Sequence, residues 1–384
     1  MMPKTVVGGW FMKHLLENIR DLILSARKTV VHSVNLIQVL TNFEIGRRIV
    51  EHEQGGAKRA EYGKALLRDL ASGLTAEFGN GFSKRNLEYM RQFYLIYQSR
   101  SIAQTASAQW LLKGQARSAP LQKSEILSGH SAPPEKTQTL SAQFTLSWSH
   151  YVFLLGISDA GERSFYEIEA AGLGWSLREL KRQFNSGLYE RLALSRDKNR
   201  VRKLAAEGQL ISKPEDLLKE PYVLEFLGLD EQETYSESDL ESAIINKLEH
   251  FLLELGKGFL FEARQKRFTF DEEHFFVDLV FYNRLLRCYV LIDLKIGKLT
   301  HQHLGQMQMY VNYFDRFVKH SDEHPTIGII LCKKKHDALV EITLPREANI
   351  HAREYQLYLP DKELLRQKLV EWSEEAERQE ERNT

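Results

Sequence analysis

The sequence predicts a multidomain chain of mixed α+β and α/β class. An all-α, helix-turn-helix-like N-terminal half precedes a C-terminal domain with an αβββαβ core. Three observations predict this. Apolar residues recur at three- and four-residue spacing between residues 12 and 100, which is the helical period. Ser, Ala, Gln and Pro then dominate residues 101–143, where the period fades. From residue 236 a capped helix gives way to short apolar runs bounded by turns, the pattern of strands in a covered sheet.

At 384 residues the chain is long enough for two or three domains. Lys plus Arg and Asp plus Glu both number 52, so the net charge is zero, and any nucleic-acid binding must come from local patches. No apolar run approaches the roughly 18 residues that span a bilayer, so no membrane partner is expected. The opening "MMPKTVVGGWFMKHLLENIR" lacks a basic segment followed by an apolar one, which predicts a cytoplasmic protein. Cys288 and Cys332 sit in apolar, strand-like runs and read as reduced core thiols.

The elements follow in order. "KHLLENIRDLILSARKTVVHSVNLIQVLTNFEIGRRIVEH" and "YGKALLRDLASGLTAEFG" are helical, and "NGF" turns the chain into "SKRNLEYMRQFYLIYQSR" with Ser83 as N-cap. Helix, glycine turn and capped helix over 12–100 outline a helix-turn-helix. Lys84, Arg85 and Asn86 in its first turn, with Arg91 further along, are the candidate nucleic-acid contacts. Eight Lys/Arg against four Asp/Glu between Gly55 and Arg100 suit that role or an ordinary charged face on an assembly module. Residues 101–143 are expected to be a linker or mobile insertion.

Residues 144–210 form a basic helical region, with nine Lys/Arg and three Asp/Glu from Arg178 to Lys203, a stretch that suits a track along a nucleic-acid backbone or a solvated helix. "KPEDLLKEPYVLEFLGL" reads as a hinge. The mixed domain spans 236–372. It opens on the helix "SESDLESAIINKLEHFLLELG", capped by Ser236 or Ser238 and stopped by Gly256. "GFLFEARQKRFTF" gives one strand and the start of another, then come the strands "HFFVDLVFYN" and "RLLRCYVLIDLK" joined by a turn near Arg284, the helix "HQHLGQMQMYVNYFDRFVKH" and the strand "TIGIILC". Residues 373–384 are an acidic tail.

Charges are rare in the strand runs, and they carry the chemistry. Side chains alternate faces along a strand, so Asp293 and Lys295 point the same way. Asp278 is an isolated acid on the preceding strand, and hairpin pairing brings it towards Asp293. Two close carboxylates repel unless a cation lies between them. A hard ion such as Mg²⁺ or Mn²⁺ takes oxygen ligands and keeps several waters. It polarises a phosphoryl oxygen and lowers the pKa of a bound water. With a lysine beside that water, the set suits phosphodiester hydrolysis. Gln306 and Tyr310, four apart, share a face of the next helix. No zinc-like spacing accompanies His301 and His303, and no P-loop is present.

Asp278, a 14-residue gap, Asp293-x-Lys295 and then Gln306-x-x-x-Tyr310 resemble the PD-(D/E)xK nuclease superfamily, whose fold is a restriction-endonuclease-like αβββαβ core. "GNGFSKRNLEYMRQFY", "LSWSHY", "FLLELGKGFLF" and "FFVDLVFYNRLLRCYVLIDLKIGKLTHQHLGQMQMYVNY" resemble the YhcG family within it. The resemblance covers nearly all of the chain except 101–143 and the tail. It implies a metal-dependent deoxyribonuclease in which Asp278 and Asp293 are metal ligands and Lys295 is the catalytic lysine. Gln306 and Tyr310 would support the lysine or contact nucleic acid. The chain departs from the pattern in carrying Asp293 where glutamate is more usual. The family's helix acid is Glu241 or Glu249, eight apart on one expected face, with Glu241 preferred for its place in the first turns. DNA is the expected partner. Other DNA-processing proteins and a second copy of the chain remain open as partners. The rival reading is a catalytically silent nucleic-acid-binding or assembly protein on a nuclease scaffold, inside a restriction or recombination complex.

Overall fold

The computed structural model describes residues 35–53, 60–99, 144–194, 198–229, 235–345 and 347–371. The helix expected over 12–34, the linker 101–143 and the tail 373–384 lie outside the described residues. The chain divides into two compact units, Met1–Ser158 and Asp159–Thr384.

In the first unit helix α1 covers 35–53, α2 Ala60–Phe78, α3 Lys84–Tyr97 and α4 Trp148–Leu154. Gly79 (φ 78°) and Gly81 (φ 120°) make the turn between α2 and α3 in a left-handed backbone that side chains resist. Ser83 then caps α3 by accepting the Asn86 N–H. Gly46 lets α1 approach α3 closely, since a Cβ there would lie 2.0 Å from the Met90 carbonyl oxygen. The core is aromatic. Phe93 sits between Phe43, Tyr97, Phe144, Trp148 and Tyr151, with ring centroids 4.9 to 5.8 Å away.

The second unit begins with α5 Ala160–Leu173, α6 Leu177–Asn185, α7 Leu188–Leu194 and α8 Lys198–Glu207. Then come β1 Tyr222–Val223, α9 Glu237–Asn246, α10 Leu248–Leu255, β2 Phe259–Phe270, β3 Glu273–Asn283, β4 Cys288–Lys298, α11 His301–Tyr313, β5 Ile327–Lys334, α12 Asp337–Thr343 and β6 Ile350–Gln356. A last helix covers 362–371. The strands form one sheet in the order β1-β6-β5-β4-β3-β2, antiparallel from β2 to β4 and parallel from β4 to β1.

Strand alternation builds a core on each face. Val290, Ile292 and Leu294 of β4 pack with Leu240, Ile244 and Phe251 of α9 and α10. Leu291, Ile330 and Cys332 pack with Leu304, Met307 and Tyr310 of α11. Cys288 and Cys332 are free and buried. The αβββαβ order is therefore present, extended at one edge by β6 and β1.

Three details differ from the sequence reading. "GFLFEARQKRFTF" is a single twelve-residue strand. The expected hinge is buried structure: Leu217, Leu218, Tyr222, Val223 and Leu224 are at most 1% exposed, and Tyr222 and Val223 pair in parallel with β6. Prolines 214 and 221 there shape a packed segment rather than a free one. The expected single helix over 236–255 breaks at Lys247 (φ −121°, ψ 30°) into α9 and α10.

Candidate active site

The site forms where the β3–β4 ladder ends. Pairing runs from Asn283–Cys288 to Leu279–Ile292, and the next residues on the two strands are Asp278 and Asp293. There the Asp278 side chain takes over from the main chain, its Oδ2 accepting the Leu294 N–H at 2.8 Å. Asp293 is 2% exposed and Lys295 8%, so both charges are taken out of water together. The Lys295 Nζ lies 2.8 Å from Asp293 Oδ2 and 3.4 Å from Glu237 Oε2. Lys295 thus pairs directly with the inner oxygen of Asp293.

Burial, followed by the charge of Asp293, pushes the Asp278 carboxyl up to about 6. Burial also raises Asp293, with Lys295 pulling the other way. Burial works against the Lys295 ammonium, but the Asp293 carboxylate more than offsets it, so Lys295 holds its proton more tightly than usual.

The break at Lys247 separates the two candidate helix acids. Glu241 lies on α9, is 4% exposed, and is held by Arg264 and by Gln265 Nε2 at 2.6 Å. The same Gln265 Nε2 donates to Asp278 Oδ1 at 3.1 Å, so Glu241 joins the site. Glu249 lies on α10 and is exposed beside Trp175, Arg178 and His250, away from these residues. The shared-face argument fails for Glu249 because the helix is not continuous. Ser236 caps α9 in a capping box with Asp239. Its first turn also carries Glu237, a neighbour of Lys295 that the sequence pattern does not single out.

On α11 the Gln306 Nε2 donates to the Tyr310 hydroxyl at 2.5 Å, as their shared face requires. Tyr310 is 1% exposed. Burial raises its pKa, and the nearby Asp293 and Asp278 charges add to that, which sets the hydroxyl beside the acids. His303 is spent on the helix cap with Thr300.

Among the described residues no three His, Cys, Asp or Glu side chains converge as a ready-made metal cage. Two carboxylates do converge, burial and the charge of Asp293 raising the proton affinity of Asp278, and that set fits a hard divalent ion that keeps most of its waters.

Residues 215–370 match the YhcG PDDEXK nuclease domain, and residues 18–191 match the DUF1016 N-terminal domain. The chain is 42% identical over 356 residues to "Putative nuclease YhcG" of Escherichia coli (strain K12), covering 92% of each chain. The chain belongs to the YhcG family. Two solved structures are also similar to parts of it. The crystal structure of a repair endonuclease from Pyrococcus abyssi shares 18% identity over 34% of this chain, with a TM-score of 0.22. The structure of an EndoMS–dsDNA complex shares 17% over 35%, with a TM-score of 0.23. Each match spans half the length of the solved chain. By its family match, residues 215–370 of this YhcG-family chain are a nuclease domain of PD-(D/E)xK type.

The N-terminal candidates of the YhcG-family chain are partly engaged within their own unit. Asn86 donates to the Gly81 carbonyl and accepts from Trp148 Nε1 at 3.0 Å. Arg91 pairs with Glu53 at 2.6 Å. Lys84 makes only a 3.7 Å pair with Glu88, and Arg85 rests on Tyr89. Lys84 and Arg85 keep their charge at the surface of α3, while Asn86 and Arg91 serve the fold. No helix among the described residues is long and apolar enough to cross a membrane.

Proposed function

We propose that this chain is a metal-dependent deoxyribonuclease that hydrolyses DNA phosphodiesters at the Asp278–Asp293–Lys295 site. The observation that carries the reading is the convergence of two carboxylates, buried Asp293 and half-buried Asp278, beside Lys295 where the β3–β4 ladder ends, a pair of acids that a divalent cation would complete. Asp278 and Asp293 would hold the cation. Mg²⁺ or Mn²⁺ supplies there the polarisation of a phosphoryl oxygen and an acidified water. Lys295, kept protonated by Asp293, sets its ammonium where it orients the attacking water and balances the developing charge. Glu241 assists by anchoring Gln265 and through it Asp278. Tyr310 stands beside the charges of Asp293, Asp278 and Lys295, and Gln306 orients its hydroxyl. In the N-terminal unit Lys84 and Arg85 contribute phosphate contacts, and Asn86 and Arg91 shape α3, which presents them. The two buried thiols suit the reducing cytoplasm.

The test incubates the purified chain with linear, supercoiled and branched DNA and Mg²⁺ or Mn²⁺, beside Asp293→Ala and Lys295→Ala. Cleavage by the parent alone is expected. Cleavage that survives both substitutions sinks the site, and DNA binding without cleavage of any substrate favours a silent scaffold.

A further inference from the structure

We infer that Gln265 is a positioning residue of this site. Its amide ties the helix acid Glu241 to the strand acid Asp278 and thereby fixes how Asp278 presents its carboxylate to a divalent cation. This rests on the metal-site reading above.

The backbone supplies the first observation. β2 pairs with β3 at Arg264–Leu279 and again at Lys266–Val277, which puts Gln265 opposite Asp278. Between these two regular pairs Gln265 has φ 46°, a left-handed conformation that non-glycine residues adopt rarely and glutamine has no special aptitude for. Such a residue in mid-strand persists only when its surroundings over-determine it, and such residues cluster at functional sites.

The side chain supplies the second. A primary amide carries two N–H groups. Gln265 Nε2 lies 2.6 Å from Glu241 Oε2 and 3.1 Å from Asp278 Oδ1, so one nitrogen serves two carboxylates on two elements. Its anchor is firm, because Glu241 is buried and also held by Arg264.

The charge pattern supplies the third. Asp293 has Lys295 and Glu241 has Arg264 as cationic neighbours. Lys295 acts on Asp278 by its charge, but the hydrogen bonds that Asp278 accepts come from two neutral donors, the Gln265 amide on Oδ1 and the Leu294 N–H on Oδ2. Neutral donors orient a carboxylate without cancelling its charge. A lysine or arginine at position 265 would compete with the cation for Asp278. Partners of this kind, one step removed from the metal, typically govern affinity or activity by about 10- to 100-fold when removed.

The test is calorimetric titration of the full chain with Mn²⁺, paired with cleavage rates as a function of Mn²⁺ concentration, for the parent, Gln265→Ala, Gln265→Gly and Asp293→Ala. Glycine accepts the left-handed backbone, so Gln265→Gly removes the amide while keeping the strand path and guards against a folding artefact. The expected result is an Mn²⁺ dissociation constant about tenfold weaker or more in both Gln265 variants, with turnover at saturating Mn²⁺ within about threefold of the parent. Asp293→Ala should lose Mn²⁺ binding. If both Gln265 variants bind Mn²⁺ within about twofold of a parent that binds and cleaves, this inference alone is overturned. The same holds if they lose turnover at saturating Mn²⁺ with unchanged affinity. If the parent neither binds Mn²⁺ nor cleaves, the metal-site reading itself fails.

Discussion

At the scale of single residues, the site is a set of charges that the fold keeps close at a cost. In the metal-free chain the folded state holds the Asp278 proton more tightly than the unfolded chain does. Its pKa is about 6 instead of 3.8, so the Asp278 contribution to stability falls as pH rises from about 4 to about 6. A cation bound to the carboxylate reverses that sign, because it competes with the proton. Apparent Mn²⁺ affinity should therefore be constant well above pH 6 and fall about tenfold per pH unit below it. The measurement is the Mn²⁺-induced shift in melting temperature between pH 5 and 8. A shift as large at pH 5 as at pH 8 contradicts the assignment of Asp278 as a ligand. Asp278, Asp293 and Lys295 were legible in the sequence because each is an isolated charge in an apolar alternating run. Gln265 was not, because its importance depends on a backbone angle and a cross-strand register that no spacing encodes.

At the scale of elements, charges that look like surface features in the sequence turn inward. The basic stretch from Arg178 to Lys203 suggested a track for a nucleic-acid backbone, yet two of its arginines are internal ties. Arg191 of α7 is fully buried and meets Glu254 of α10 at 2.5 Å, also donating to the Pro221 carbonyl. Arg182 of α6 pairs with Glu225 at 2.7 Å. Glu254 further accepts the Val223 N–H, and Lys219 donates to the Glu254 carbonyl. Burial alone would raise the Glu254 carboxyl, but Arg191, Lys219 and Arg182 hold it down at about 2. Its stabilisation is thus complete above about pH 4.5 and is lost as pH falls towards 2. Breaking a buried pair leaves an uncompensated charge, so Arg191→Ala should cost about 3–5 kcal/mol, read as a lower urea midpoint at pH 7. A loss below about 1 kcal/mol would show the pair to be dispensable. The partners lie 63 residues apart in the chain, so helical periodicity placed both helices but had no means of pairing them. The same limit hid the break at Lys247, where apolar spacing continues across two helices as if they were one.

At the scale of the whole molecule, the helices α5 to α8 and the sheet domain form one folding unit. Lys257 beside β2 meets Glu169 of α5 at 2.7 Å, and Arg191–Glu254 and Arg182–Glu225 add two more ties. The sequence placed a hinge between these regions because Pro214 and Pro221 punctuate it. Burial of Leu217, Leu218 and Tyr222 and their place beside β6 make that segment part of the core instead. The two compact units divide after Ser158, while the two family matches, residues 18–191 and 215–370, divide closer to residue 210. A fragment of residues 159–384 keeps its sheet, the apolar cores on both sheet faces and every residue of the proposed catalytic site. It should fold on its own and melt in one cooperative transition. A fragment starting at residue 211 lacks Arg182 and Arg191, the arginine partners of Glu254, and Glu169, the partner of Lys257, and should be insoluble or molten. On the proposed function, the 159–384 fragment should still cleave DNA with Mn²⁺. Its DNA affinity should be weaker and less salt-dependent, because Lys84 and Arg85 are absent from it. Removing one phosphate-binding cation flattens the slope of log affinity against log salt by about 1. Melting curves of the two fragments and salt titrations of DNA binding for fragment and full chain check this. If the fragment from 211 proves as stable as that from 159, the helices are accessory to the fold. An unchanged salt slope would remove the DNA-binding role from the N-terminal unit and leave it as an assembly module.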